Sequence, residues 1–317
     1  MAKYIGKRLG MGLLSLFVLA TVTFFLTRAI PGSPFQGANV SERVLEMMEE
    51  EYGLHQPVLD QYVTYMKHLL CGDLGYSYQN PSESVAEIIK RSWPVTARIG
   101  ILAILLAVVL GIGLGIFQTF ARHSVTRASV FTGTLLLGGI PNFVAALLLL
   151  LIFGVWLKWL PISGLDSWKH YILPVCALAL YPACALARLT GSLLLQEQKK
   201  EYVLFARTKG LKSRQILLEH MLPHIWIPVL NYLGPASAFL LTGSFVAESI
   251  FTIPGLGRQF VNSIANRDYT LILGLTVFMG TVVILIQLAV DLLCAVLDPR
   301  VRKNYTNEEK PEQRRSK

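Results

Sequence analysis

Six apolar runs, each near the length of a bilayer-crossing helix, most constrain what this chain can fold into. They lie near Leu9–Ile30, Ala97–Ala121, Val130–Trp159, Tyr171–Leu195, Ile225–Glu248 and Leu271–Leu297. About 20 predominantly apolar residues cross a hydrocarbon core as a helix, and only helices or closed barrels satisfy their backbone there. The chain is 53% hydrophobic and 15% charged, against about a quarter charged in soluble domains. The expected fold class is therefore all-α: a polytopic membrane protein of about six transmembrane helices. Pro141 is placed to break the third run, while Pro174 and Pro182 interrupt the fourth and Pro228 and Pro235 the fifth. Such breaks suit a bundle whose neighbours re-satisfy the freed backbone groups. The first run has a basic start, Lys3, Lys7 and Arg8, but is too long for a signal core and lacks a small-x-small site, so a retained helix is expected.

The formal net charge of +9 raises nucleic-acid binding, but the placement of the charge argues for topology. In a six-span arrangement, nineteen of the 29 Lys and Arg fall on one side: at the N-terminus, after the second run, from Arg188 near the end of the fourth through the segment after it, and in the tail. The other side carries an acidic loop with Glu42, Glu46, Glu49, Glu50, Glu51, Asp60, Asp73, Glu83 and Glu87. The positive-inside rule then puts both termini in the cytoplasm, with no nucleic-acid partner. Of the four cysteines, Cys176, Cys184 and Cys294 lie inside runs and Cys71 in the outer loop, so no disulfide framework is readable.

Four regions follow. Residues 1–30 form the first helix and 31–94 an extracytoplasmic cap. Residues 95–298 form a five-helix core with a cytoplasmic segment at 196–224, and 299–317 form a charged cytoplasmic tail. The cap carries helical patterns at Ser41–Tyr52 and Pro57–Leu70, then a turn-rich stretch from Gly72 to Pro81. It is short for an independent core, so it is expected to pack on the bundle. Glycines 111, 113 and 115 in the second run, 133, 138 and 139 in the third, and the small residues from Gly234 to Ala247 in the fifth allow close helix approach. For the fifth run, tight packing and pore lining are both open and compatible.

Between the fourth and fifth runs lies EYVLFARTKGLKSRQILLEHMLPH, Glu201–His224, which is dense in charge. The spacing predicts a helix over Gln196–Lys209, with acids early and bases late as the helix dipole favours. Val203, Leu204, Phe205 and Ala206 offer an apolar docking face. Gly210 falls where a left-handed C-cap belongs, and Ser213 is an N-cap for a second helix stopped by Pro223. A solvated loop would not need such a corner, whereas a docking surface would.

These residues resemble the cytoplasmic coupling loop of permease subunits of ATP-binding cassette (ABC) importers. Ala206, Gly210, Leu222 and Pro223 sit at the family spacing, while Leu204, Phe205 and His220 replace the expected Glu, Ala and Ile. Glu201-Tyr-Val-x-x-Ala206-Arg-Thr-Lys-Gly210-Leu is close to the peptide/nickel branch. So are Gly53-Leu-x-x-Pro57, Gly72-Asp-Leu-Gly-Tyr-Ser77, Gly139-Ile-Pro-Asn-Phe143, Phe251-Thr-Ile-Pro-Gly-Leu-Gly-Arg258, Asn266-Arg-Asp-Tyr269 and Asp298-Pro-Arg300. Leu233–Phe245 leans weakly to the oligopeptide subunit.

The resemblance implies the type I importer permease fold, pairing with a second homologous permease, two cytoplasmic ABC ATPases and an extracytoplasmic substrate-binding protein that delivers a peptide. It puts the coupling contact at Glu201, Ala206, Arg207, Lys209, Gly210, Leu211, Leu222 and Pro223. Other cargo readings are dipeptides, nickel chelates or glutathione. A reading of another class is a non-transporting scaffold or receptor. A self-sufficient secondary transporter is disfavoured by the lack of repeat symmetry.

No enzyme chemistry is expected. The chain lacks G-x-x-x-x-G-K-[ST], H-E-x-x-H and G-x-S-x-G, and no cofactor is implied. Glu219, His220 and His224 do not form a metal-binding helix face, because Pro223 separates the histidines. Intramembrane polarity marks Ser237, Gly243, Ser244, Glu248 and Asp291 as a pore or gate set. Within it, Asp291 has an internal partner or a gating role, and Glu248 at the outer end of the fifth run is interfacial or substrate-facing. Arg258, Arg267 and Asp268 in the outer loop contact the binding protein or are solvated.

Overall fold

The computed structural model describes residues 2–29, 50 and 53–297. Among these the chain is helical, with one isolated antiparallel bridge between Tyr76 and Ser84 and no strand. The expected Ser41–Tyr52 helix, apart from Glu50, lies outside the described residues, as do the 298–300 ending and the tail.

The chain starts with α1, Ala2–Ala29, and α2, Val58–Leu70. Next comes α3, Val85–Phe120, followed by α4, Ser124–Gly138, and α5, Asn142–Leu149, which a π-wound segment, Leu150–Trp156, extends. Then follow α6, Lys169–Glu197, and α7, Glu201–Thr208. The one-turn helix Ser213–Gln215 and the π-wound Ile216–Met221 lead into α8, Leu222–Thr242. Last are α9, Phe245–Ile250, α10, Leu256–Ala265, and α11, Tyr269–Leu297. Among the described residues, five helical runs are long and apolar enough to cross a bilayer, and α4 with α5 and its π-wound extension makes a sixth, bent by 99°. The bend falls at Pro141, the N-cap of α5, with φ −57° and ψ 140°.

The second span begins earlier than its apolar run. Ser84 and Glu87 form a reciprocal capping box, so α3 starts at Val85 and already contains Pro94 in its early turns. The α3 and α6 helices pack closely because glycines remove the side-chain barrier. A Cβ on Gly111 would stand 2.7 Å from Leu186 Cβ, and one on Gly115 would stand 2.6 Å from Thr190 Cβ. Gly113 and Gly133 differ from expectation: each faces open space, because helical periodicity turns it away from the packed face. Gly100 performs the same function against the Leu240 carbonyl, bringing α3 to α8. Ile99, Ala103, Ala107, Leu178 and Leu240 form part of the resulting core. Outward-facing Leu13, Leu26 and Val109 are exposed, as a lipid-facing surface requires.

Helix α1 lies against α11, with Gly12 close to Ile284 and Gly280 close to Leu19. Arg8 Nη1 pairs with Asp291 Oδ2 at 3.2 Å, so the structure supplies the internal partner among the roles left open for Asp291. At the opposite end, α2 and the turn after it pack on the bundle. Tyr62 OH and Thr21 Oγ1 share a hydrogen bond at 2.8 Å, and Asp73 Oδ1 accepts from the Gly75 N–H at 2.9 Å. The cysteines are free, with Cys71 exposed and Cys184 and Cys294 buried.

Candidate functional site

The corner at Glu201–His224 is built by local chemistry. Helix α6 ends at Glu197, whose buried carboxylate accepts from Lys200 Nζ at 2.6 Å and Tyr202 OH at 2.5 Å. This double contact turns the chain, so the single helix expected over Gln196–Lys209 is two: the end of α6 and, after an extended Lys200, α7. Burial and the bond to Glu197 both raise the Tyr202 phenol pKa, keeping it a neutral donor. At the other end of α7, the Leu211 N–H bonds to the Ala206 carbonyl at 3.2 Å and the Gly210 N–H to Arg207 at 2.9 Å. That pair is a Schellman motif, and Gly210 adopts the required φ of +76°.

The apolar residues of α7 divide between two surfaces. Val203 and Ala206, one helical turn apart, are buried against Leu194, Ile216, Leu217, Met221 and Ile225. Leu204 and Phe205 point outward at 52% and 61% exposure, joined by the exposed Leu218. Lys209 Nζ lies 4.4 Å from the centre of the Phe205 ring, a cation–π contact. Of the expected coupling residues, Glu201, Arg207, Lys209, Gly210 and Pro223 are exposed, Leu211 and Leu222 are half-buried, and Ala206 is internal. Leu218 is a surface residue that sequence reasoning missed. The i, i+3 spacing of Val203 and Ala206 already carried the signal that separates root from surface.

The second half of the corner departs from expectation. Lys212, not Ser213, is the N-cap, and its N–H donates to Gln215 Oε1 at 3.2 Å. Pro223 does not stop the helix. The preceding turn is π-wound, with the Leu222 N–H bonded to the Leu217 carbonyl, and Pro223 sits in the first turn of α8, where its missing N–H costs little. The corner therefore continues without a break into the next membrane helix.

Between α4–α5, α6 and α8 lies a cavity of about 670 Å³. Its wall includes one proline from each span, Pro141, Pro182 and Pro235, where the helices bend or lose a backbone bond. Asn142, Asn231, Tyr181, Tyr232 and Phe239 also line it, and none of its described lining residues is charged. Residues Ser237, Gly243, Ser244, Glu248 and Asp291 are not among them. In α8, Pro235, Ala236 and Phe239 face the cavity while Gly234 and Ala238 are buried, so the helix serves both lining and packing.

Glu248 is buried inside the fold. Helix α8 ends at Gly243, which has φ +103°, and Glu248 belongs to the separate helix α9, only 4% exposed. Its carboxylate accepts from Thr96 Oγ1 at 2.9 Å and from the Arg258 N–H at 2.8 Å. A Cβ on Gly255 would come within 2.4 Å of Glu248 Cδ, so only glycine lets the 251–258 loop close over this carboxylate. Asp268 is likewise not a solvated loop residue. It is 1% exposed and accepts from the Leu271 N–H at 3.1 Å, the Tyr78 N–H at 3.1 Å and the Ser77 hydroxyl. It caps α11 and ties the 76–79 turn to the bundle, which uses up its oxygens. Arg258 and Arg267 are half-buried, and Arg267 has φ +54°.

The family model described as "Binding-protein-dependent transport system inner membrane component" matches residues 93–303, and its N-terminal companion matches residues 1–100. The chain belongs to this family. The permease is 39% identical to the "Oligopeptide transport system permease protein OppB" of Escherichia coli (strain K12), over 95% of this chain and 100% of the relative. It is 39% identical to the "Dipeptide transport system permease protein DppB" of Bacillus subtilis (strain 168), over 95% of this chain and 98% of that one. The fold is that of ABC importer permeases. The inward-facing MetNI methionine ABC transporter matches with a TM-score of 0.58 at 17% identity, covering 67% of this chain and 96% of the other. The permease is a multi-pass membrane component of an ABC importer, and ATP hydrolysis is not its own chemistry.

Proposed function

We propose that this permease forms half of a channel for short peptides, facing a second homologous permease across the proline-walled cavity. An extracytoplasmic binding protein delivers the peptide, and two cytoplasmic ATPases drive the cycle, one of them seated on the corner. This reading puts Glu201–His224, both termini and the 299–317 tail on the cytoplasmic side of a bacterial inner membrane. The 31–94 cap lies outside, and 95–298 form the core.

The observation that carries the reading is the split of α7. A helix rooted through Val203 and Ala206 and presenting Leu204 and Phe205 can be pushed as a rigid lever without unfolding. Continuity from Ser213 through α8 connects that lever to Pro235, Ala236 and Phe239 on the cavity wall. The cargo class is supported by the names of the two relatives and by the cavity's chemistry. Amides at Asn142 and Asn231 and rings at Tyr181 and Tyr232 bind peptide groups and varied side chains without selecting a charge. Glu201, Arg207, Lys209 and Gly210 border the ATPase contact. Gly243 and Ser244 act in the gate by letting α8 end and turn, Ser237 belongs to the same helix about one turn and a half before that end, and Glu248 is the internal brace, with Asp291 tying α1 to the core. Arg258 and Arg267 remain on the binding-protein side, and Asp268 serves the cap.

Affinity isolation from native membranes, followed by uptake of a labelled tripeptide in cells lacking the native chain, tests this. Recovery of a second permease and P-loop ATPases, with peptide uptake restored, is expected. Uptake of a nickel chelate or glutathione without peptide uptake would reassign the cargo. Recovery of the chain alone, after extraction that preserves known complexes, would favour the scaffold reading.

A further inference from the structure

The end of the molecule that carries α2 holds a second cavity, of about 450 Å³, which the transport reading does not use. It is an open cavity lined by the last turn of α1, by α2, by the 73–76 turn and by the start of α11. Three of its lining side chains contribute buried polar atoms with no hydrogen-bond partner: Arg28 Nε, Gln61 Oε1 and Tyr65 OH. Buried polar groups are almost always satisfied, so three orphans in one cavity call for a ligand.

Each orphan has a defined chemistry. Gln61 Nε2 donates to the carbonyls of Leu54 at 3.1 Å and Gln56 at 2.8 Å, which leaves Oε1 as a fixed acceptor. The Tyr65 ring stacks on Phe24 with centroids 5.6 Å apart, and burial pushes its phenol pKa up to about 12, so it is a neutral hydroxyl that donates or accepts. The Arg28 guanidinium lies 5.3 Å from the Phe24 ring and 5.4 Å from the Tyr269 ring, and no described carboxylate pairs with it. Asp73, the acid in the lining, is already engaged: Oδ2 with His68 Nδ1 and Oδ1 with the Gly75 N–H, both at 2.9 Å.

These donors and acceptors suit an oxyanion at Arg28 and a hydroxyl donor at Gln61. Its place in the fold selects the source. Arg28 ends a helix whose Phe17, Val22 and Leu26 are exposed apolar residues, so the cavity sits where the lipid-facing surface stops. Arg and Tyr at that level are interfacial residues. We propose that this cavity binds the headgroup of an anionic glycerophospholipid, with phosphate on Arg28, a headgroup hydroxyl on Gln61 Oε1 and the Tyr65 hydroxyl between them. The site holds α1 and the cap to the start of α11 through a lipid.

The full-length chain, purified in mild detergent with the subunits that accompany it and stripped of lipid, is offered phosphatidylglycerol, phosphatidylcholine or soluble glycerol 3-phosphate. Bound species are counted by native mass spectrometry. One phosphatidylglycerol per chain is expected, held about tenfold better than phosphatidylcholine and weakened about tenfold by Arg28→Gln or Gln61→Glu. Tyr65→Phe, which keeps the ring stack, is expected to weaken it less, and Arg28→Lys to restore part of the loss. Equal retention of the two lipids, or undiminished binding in a folded Arg28→Gln variant, overturns the proposal. Glycerol 3-phosphate bound as tightly as the lipid would make the site one for a soluble ligand and overturn the lipid assignment.

Discussion

The Thr96 hydroxyl donates to Glu248 Oε1 at 2.9 Å and accepts from the Leu256 N–H at 2.8 Å, so one oxygen joins α3, α9 and the start of α10. Glu248 closes the clasp by accepting from the Arg258 N–H. Polar groups this deep are stabilising only while every bond is made, because an orphaned partner bears its full desolvation cost. Thr96→Val keeps the shape but leaves an acceptor and an N–H unpaired. A loss of about 2–6 kcal/mol is expected from two orphans at about 1–3 kcal/mol each. Thermal unfolding of the purified complex measures it, and an unchanged midpoint would remove the clasp from the account.

Glycine 210 has φ +76° and open space around its missing Cβ, so a side chain there strains the backbone without a clash. Gly210→Val is expected to cost about 1–2 kcal/mol, with Gly210→Asn costing less because Asn tolerates the left-handed region. Membrane abundance should survive while peptide-stimulated ATPase activity falls. Wild-type coupling in Gly210→Val would separate the corner from transmission.

Neighbouring residues on α7 should behave oppositely. Val203 is fully buried and Phe205 is 61% exposed. Val203→Ala is expected to lower stability by about 1–3 kcal/mol. Phe205→Ala should leave stability within about 0.5 kcal/mol and weaken ATPase retention by 2 kcal/mol or so, as an interface anchor does. Co-purification yield and melting midpoint, read on both variants, distinguish root from surface.

The Arg8–Asp291 pair spans two membrane helices, with Asp291 only 14% exposed. Arg8→Met strands a carboxylate and is expected to cost about 2–4 kcal/mol, whereas Arg8→Met with Asp291→Leu should recover much of it. A double-mutant cycle on thermal stability checks this, and additivity of the two changes would refute the coupling.

In the cap, the Gly75 N–H, and then His68, hold the Asp73 carboxyl below its ordinary range. A depressed carboxylate stabilises the fold above its unfolded pKa of about 3.9 and loses that contribution as pH falls through the lower folded value. The 72–76 turn should therefore loosen only in acid. Hydrogen exchange at Gly75 reads it, with Asp73→Asn expected to lose protection at neutral pH and to show no further acid step.

Much of the architecture was legible as pattern. The six runs, the break at Pro141, the left-handed Gly210 and the acids and bases of the corner are local properties, set by hydropathy, missing N–H groups and backbone sterics. The capping box that starts α3 at Val85 was equally local, hidden only because the preceding residues are polar. Pro223 misled, since a π-wound turn can absorb what an isolated α-helix cannot.

The fates of the polar residues were not legible. In the sequence Glu248 looks like a charge at the end of a span and Asp268 like an outer-loop charge, yet their partners Thr96 and Ser77 are 152 and 191 residues away. Arg28, Gln61 and Tyr65 likewise meet only because α1 and α2 pack against the start of α11. Transfer of apolar residues out of water is additive along a chain, so the sequence by itself determined the membrane spans, the breaks between them and the corner. Whether a charge faces a ligand or a partner depends on which helices become neighbours, and only the tertiary structure decided that.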